Sequence, residues 1–97
     1  PGPRGFHNCG QSEHLLNLIR DELRITSHNS FGFCVDPAVL ADKMSGRVVL
    51  REGPDPFFIK SESRDDIVGI PRKHITMLGM HRGFILSCGG GAAPGTP

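Results

Sequence analysis

The chain has 97 residues, of which 37% are hydrophobic and 22% charged, and its formal net charge is +1. This size and composition predict one small globular domain. The near-neutral charge excludes a strong general attraction to nucleic acid or to an anionic membrane. No apolar run approaches the roughly 20 residues that a membrane span needs.

Both ends of the chain are rich in Pro and Gly, beginning "PGPRG" and ending "GAAPGTP". Such segments have little to bury, so we predict disordered flanks at 1–5 and 90–97 around a single α+β domain at 6–89. With no initiator Met, the sequence is typical of a module excised from a larger protein. Three cysteines cannot all pair within one chain. They favour reduced thiols in an intracellular protein, cytoplasmic or nuclear.

Two helices are predicted in the first half of the chain. Ser12 can cap a helix over 13–25, and apolar residues recur along it at helical spacing: Leu15, Leu16, Leu18, Ile19 and Leu23. Asp36 followed by Pro37 is a strong start signal for a second helix, because Asp accepts free N–H groups and Pro fits the first helical position. Gly46 can end it.

Short apolar segments predict the strands. They are "FGFCV" (31–35), "RVVLR" (47–51), "FFIKS" (57–61), "DIVGI" (66–70), "HITML" (74–78) and "GFILSC" (83–88). Helices followed by a run of strands favour an α+β fold, with one or two helices packed on a small antiparallel sheet or a partly closed β-barrel. The expected core residues are Leu15, Ile19, Leu23, Val49, Phe58, Ile75 and Ile85.

The order of helix and then hairpin over 36–61 is also that of a winged-helix DNA-binding domain. A DNA recognition helix needs basic or amide side chains, but the second predicted helix carries Asp36, Asp42 and Lys43. Between residues 12 and 45, five acidic residues oppose three basic ones, whereas between 60 and 82 five basic residues oppose three acidic ones. A nucleic-acid surface is therefore expected on the strands and not on the helices.

The segment "PRKHITMLGMHRGF" brings Arg72, Lys73 and Arg82 close together in sequence, with Phe84 nearby. Basic groups beside an aromatic ring are typical of platforms for single-stranded RNA or DNA. The same residues also fit a solvated basic turn, or a surface for an acidic protein segment. We take Arg72, Lys73 and Arg82 as the candidate partner-binding residues.

Cysteine and histidine offer two further hypotheses. Cys9, His14, His28 and Cys34 are residue types that bind zinc, but their spacing matches no tight zinc knuckle. Cys9 lies near His7, and a nearby His can activate a Cys thiol as a nucleophile, but no sequence motif here indicates such a site. Neither hypothesis is preferred, so we expect no catalytic residues, no metal and no cofactor.

The sequence favours a non-catalytic protein-interaction module. Its predicted strands leave room for a free sheet edge, where a partner protein or peptide can add a strand. The alternative is a domain that binds single-stranded nucleic acid, RNA above all, through a basic strand end. No membrane partner is expected.

Overall fold

The computed structural model describes residues 2–30, 32–79 and 83–97. Strands and helices alternate along the chain. The strands are β1 (Gly5–His7), β2 (Ser27–Asn29), β3 (Val49–Glu52) and β4 (Phe84–Leu86), and the α-helices are α1 (Leu16–Asp21), α2 (Pro37–Lys43), α3 (Pro56–Ser61) and α4 (Arg64–Leu78). A short 3-10 turn over Glu13–Leu15 leads into α1.

The four strands form one sheet in the order β1-β2-β3-β4, and every neighbouring pair is parallel. The predicted antiparallel sheet or partly closed barrel is therefore wrong, although the fold does combine helices with a sheet. A helical connection lies between each pair of consecutive strands, and such crossovers join parallel strands, whereas a tight turn would have joined antiparallel ones. The sheet remains open at both ends among the described residues.

Three of the predicted strands are helical. "FFIKS" belongs to α3, and "DIVGI" and "HITML" are successive parts of α4. Asp55 caps α3 by accepting a hydrogen bond from the Phe57 N–H at 2.8 Å, and Pro56 occupies the first helical position. Ser63 caps α4 by accepting from the Asp66 N–H at 3.2 Å. These two caps start helices where apolar content alone had favoured strands.

The prediction for α2 is confirmed at its start, where Asp36 accepts from the Ala38 N–H at 2.8 Å. The first helix is shorter than predicted, because α1 ends at Asp21 and Arg24 has a positive φ of 48°. Ser12 makes no capping bond; the Gln11 side chain accepts from the Glu13 N–H instead. Of the predicted strand at 31–35, residues 33–35 form a turn and bend, and Phe31 lies outside the described residues.

The helices cover one face of the sheet. Helix α2 contacts both α1 and α4, so the three form one layer. The row of strand residues under this layer is buried or half-buried and comprises Phe6, His28, Leu50 and Phe84. The fully buried hydrophobic side chains between the two layers include Leu16, Leu40, Met44, Leu50 and Leu78.

The core predictions are confirmed for Ile19, which is buried, and Leu15 packs partly buried against the same cluster. Four others are wrong, because Leu23, Val49, Ile75 and Ile85 are exposed. Phe58 is half-buried.

Candidate functional site

The first candidate surface is the outer edge of the sheet at β4. This strand pairs with β3 alone in the part of the chain that the structure describes. Phe84 turns toward the core, whereas Ile85 is 51% exposed and Leu86 is 42% exposed. The strand carries neither a charged residue nor Pro, the usual protections of an edge strand. This edge is therefore open to pairing with another chain.

Backbone geometry fixes β4 against β3. The Leu50 N–H donates to the Gly83 carbonyl at 2.7 Å, and the Ser87 N–H donates to the Glu52 carbonyl at 3.0 Å. Gly83 has φ +106°, a backbone conformation that residues with a side chain rarely adopt. A Cβ on Gly53 would overlap the Ser87 carbonyl. The two glycines therefore let the chain enter β4 and pass close to β3 at its exit.

The second candidate surface is a pocket of about 270 Å³ beyond the carboxyl end of β3. Ligands in open α/β sheets commonly bind at the carboxyl ends of the strands. The walls are mainly apolar and come from the turn after β2, the start of α3 and the middle of α4. The apolar lining residues are Phe33, Val35, Pro37, Pro54, Phe58 and Ile70, and the polar ones include Glu52, Asp55, Lys73 and His74.

Glu52 is the most buried charged residue of this pocket, with 2% of its surface exposed. Its two carboxyl oxygens accept hydrogen bonds from the Gly53 N–H at 3.1 Å and from the Gly32 N–H at 3.3 Å. Burial raises the pKa of Glu52, while these two donors and the nearby His7 act in the opposite direction. In the described ranges the only ion pair joins Arg20 and Asp21, so Glu52 has no cationic partner there.

His74 is half-buried on α4, beside Glu52 in the lining of the pocket. Its ring meets the Phe84 ring edge-on, with 6.4 Å between the centroids. Burial lowers the pKa of His74, and the neighbouring Lys73 charge lowers it further. The buried Nδ1 atom of His74 has no hydrogen-bond partner among the described residues.

The basic strand end proposed from sequence is not present among the described residues, because Arg72 and Lys73 lie in a helix. Arg72 and Lys73 are exposed neighbours in α4, and Arg82 lies outside the described residues. Lys73 reaches the rim of the pocket. Phe84, the aromatic ring near these residues in sequence, is half-buried against the core. The strand pairing that was to gather these side chains is absent, because residues 74–78 are helical.

The cysteine and histidine hypotheses gain little from the structure. No group of three or more His, Cys, Asp or Glu residues in the described ranges is placed to hold a metal ion. Cys9 and Cys34 are exposed, whereas His28 is fully buried under the helix layer. Burial, with a smaller contribution from His7, lowers the pKa of His28. His7 Nε2 lies 2.8 Å from Cys9 Sγ, an exposed contact between close neighbours in the chain.

Sequence reasoning missed Glu52 and His74 as members of one pocket. A signal for Glu52 was present, because an acidic residue that follows the apolar "VVL" after one Arg and precedes "GP" lies at a strand end. For His74 no signal was available while its segment was interpreted as a strand. The pocket depends on the crossover through α4, which brings His74 to the end of β3.

No helix among the described residues is both long and apolar enough to cross a membrane. Comparisons with protein-family models, with curated proteins and with solved structures found no match.

Proposed function

We propose that this chain is a non-catalytic protein-interaction module that binds an extended segment of a partner protein by strand addition to β4. The observation that carries the proposal is the edge position of β4, which pairs with β3 alone among the described residues, carries no charged residue or Pro, and exposes Ile85 and Leu86. An added strand gains main-chain hydrogen bonds, and its side chains gain specificity from contacts on the two faces of the sheet.

The side chains of β4 indicate which partner segment fits. Ile85 lies in the row of strand residues on the face away from the helices, and Leu86 lies on the helix side. A partner strand therefore meets an aliphatic side chain on each face. The matching segment is extended, has high β-propensity and carries apolar residues at adjacent positions.

The proposal includes an intracellular location, which is supported by the free thiols of Cys9, Cys34 and Cys88. The proposal includes no catalytic activity, because it is based on a binding surface. Phe84 is half-buried beside α4, so among the described residues it gives the nucleic-acid alternative less support than strand addition receives.

A library of random heptapeptides displayed on phage tests the proposal. Selected peptides are synthesised and titrated against the chain and against an Ile85→Lys variant, which places a charge on the edge. The matched control is Leu18→Lys, an aliphatic side chain that is 54% exposed on α1, the helix that connects β1 and β2 at the opposite end of the strand order from β4. We expect extended apolar peptides that lose about tenfold in affinity with Ile85→Lys and little with Leu18→Lys.

Peptides that bind both variants alike, or a selection that yields no binder, exclude strand addition at β4. Binding of single-stranded RNA under the same conditions, removed by charge reversal at Arg72 and Lys73, would instead support the nucleic-acid alternative.

A further inference from the structure

The pocket beyond the carboxyl end of β3 contains a buried acid that has no ion-pair partner among the described residues, in a cavity whose walls are mainly apolar. Glu52 is nearly inaccessible to solvent, and its carboxyl oxygens accept hydrogen bonds from two backbone N–H groups. A carboxylate offers about four acceptor positions, so part of its capacity is unused. A buried charge is stable in a protein when it is paired, and the described residues provide no such pair.

We propose that this pocket binds a small primary ammonium compound with an aromatic or branched aliphatic body, whose ammonium group donates to the Glu52 carboxylate. The apolar body packs among Phe33, Phe58 and Ile70, which line the same cavity. The proposed ligand lies in the cavity and not at the outer edge of β4, although Glu52 is the strand partner of Leu86.

The size of the pocket supports a ligand of this kind. Its volume of about 270 Å³ lies just below the range of about 300–1,000 Å³ that is typical of drug-sized ligands. One ring or one branched chain therefore fits, together with a short polar end. Apolar walls around a few placed polar groups are the usual composition of small-molecule sites.

The other charged groups around Glu52 are compatible with an ammonium ligand. Lys73 is exposed at the rim, so solvent screens its charge. Asp55 also lines the pocket and adds negative charge, although its Oδ1 already caps α3. Burial lowers the pKa of His74, and His7 lies close enough to influence Glu52 from the β1 side.

Gly89 shows how closely the chain covers this carboxyl group. A Cβ added to Gly89 would lie 2.9 Å from Glu52 Oε1 and would overlap the Phe33 ring. The backbone after β4 therefore closes one side of the acid, and a ligand must approach from the cavity.

The test compares two probes of nearly equal shape, 2-phenylethylammonium and the neutral 2-phenylethanol. Each is titrated into the isotopically labelled chain while backbone amide shifts are followed by NMR. We expect the amine to shift the amides of Gly32 and Gly53, which donate to Glu52, and to bind about tenfold more tightly than the alcohol.

Glu52→Gln keeps the shape of the side chain and removes its charge. We expect this variant to lose the preference for the amine. Glu62→Gln is the matched control, because it makes the same change at an exposed acid that does not line the pocket; the preference should survive it. Equal binding of both probes, a preference that survives Glu52→Gln, shifts confined to other residues, or no binding at tens of millimolar would each overturn the proposal.

A second measurement on the unaltered chain covers the case in which Glu52→Gln does not fold. The side-chain carboxyl carbon of Glu52 is titrated by NMR with and without the amine. Bound ammonium favours the charged carboxylate, so the pKa of Glu52 should fall when the amine is present. An unchanged pKa in the presence of saturating amine contradicts the proposal.

Discussion

The layered arrangement predicts a large difference between two neighbouring positions on α4. Leu78 is 1% exposed in the core between the helices and the sheet, whereas Ile75, one turn earlier, is 51% exposed. Truncation to Ala removes the same number of carbon atoms at each site. The pair Leu78→Ala and Ile75→Ala therefore tests which side of this segment faces the core.

The expected losses of unfolding free energy follow from these exposures. Removing the outer carbons of Leu78, at about 0.8 kcal/mol each, together with the cavity that remains, lowers the stability by about 3 kcal/mol. At Ile75 about half of the transfer contribution applies, and the higher helix propensity of Ala returns about 0.4 kcal/mol. The net loss at Ile75 is about 1 kcal/mol or less.

Urea unfolding followed by far-ultraviolet circular dichroism measures both variants against the unaltered chain. The account predicts a much lower midpoint for Leu78→Ala and a small shift for Ile75→Ala. If residues 74–78 formed a strand with Ile75 in the core, as the sequence analysis predicted, the order would be reversed. Equal losses at the two positions would also refute the packing described here.

Three further predictions follow from the caps, the buried acid and the basic residues. Ser63→Ala should lower the unfolding free energy by about 1 kcal/mol, because the α4 cap is lost. The control is Ser61→Ala, which removes a hydroxyl that donates to the Phe57 carbonyl within α3 and should be nearly neutral. Urea unfolding measures both variants. Because burial raises the pKa of Glu52, its contribution to stability is fully present below the usual value of 4.5 and is lost as the pH rises through the raised pKa. In Glu52→Gln the melting temperature should therefore decrease less with rising pH above 4.5 than it does in the unaltered chain. The same pH dependence in both proteins would contradict a pKa of Glu52 that is raised by burial. Arg72→Glu with Lys73→Glu should leave the anisotropy of labelled single-stranded RNA unchanged at low salt; a loss of binding would place nucleic acid on α4.

Local end signals were the most informative part of the sequence. Asp36 and Pro37 predicted the start of α2, and the same pair of residue types at Asp55 and Pro56 starts α3. The second pair was interpreted as part of a turn between strands, because it lies in "EGPDP", which contains one Gly and two Pro. Its capping function was available in the sequence.

Periodicity failed where apolar runs were short. "DIVGI" and "HITML" contain β-branched residues and are separated by Pro71, so each resembles a strand by itself. The Ser63 hydroxyl and the Asp66 backbone form an N-terminal cap, and α4 then continues through Pro71. Packing of α4 against α2 and β4 outweighs these local preferences.

The sheet direction could not be predicted once these helices were missed. Strands β1 and β2 are three residues long and include polar or small residues such as Gly5, Ser27 and Asn29. Neither carries the alternation of a recognisable strand. The pocket around Glu52 and His74 depends on the parallel crossovers, so it could not be predicted from the sequence either.

The interaction proposal is tested most directly by a selected peptide with methylated backbone nitrogens. In strand addition, alternate residues of the added strand direct their N–H groups toward β4. Two peptides are compared by titration, one methylated at even positions and the other at odd positions. The account predicts that one pattern lowers the affinity at least about tenfold while the other leaves it nearly unchanged. Equal affinities for the two methylated peptides would contradict strand addition at β4.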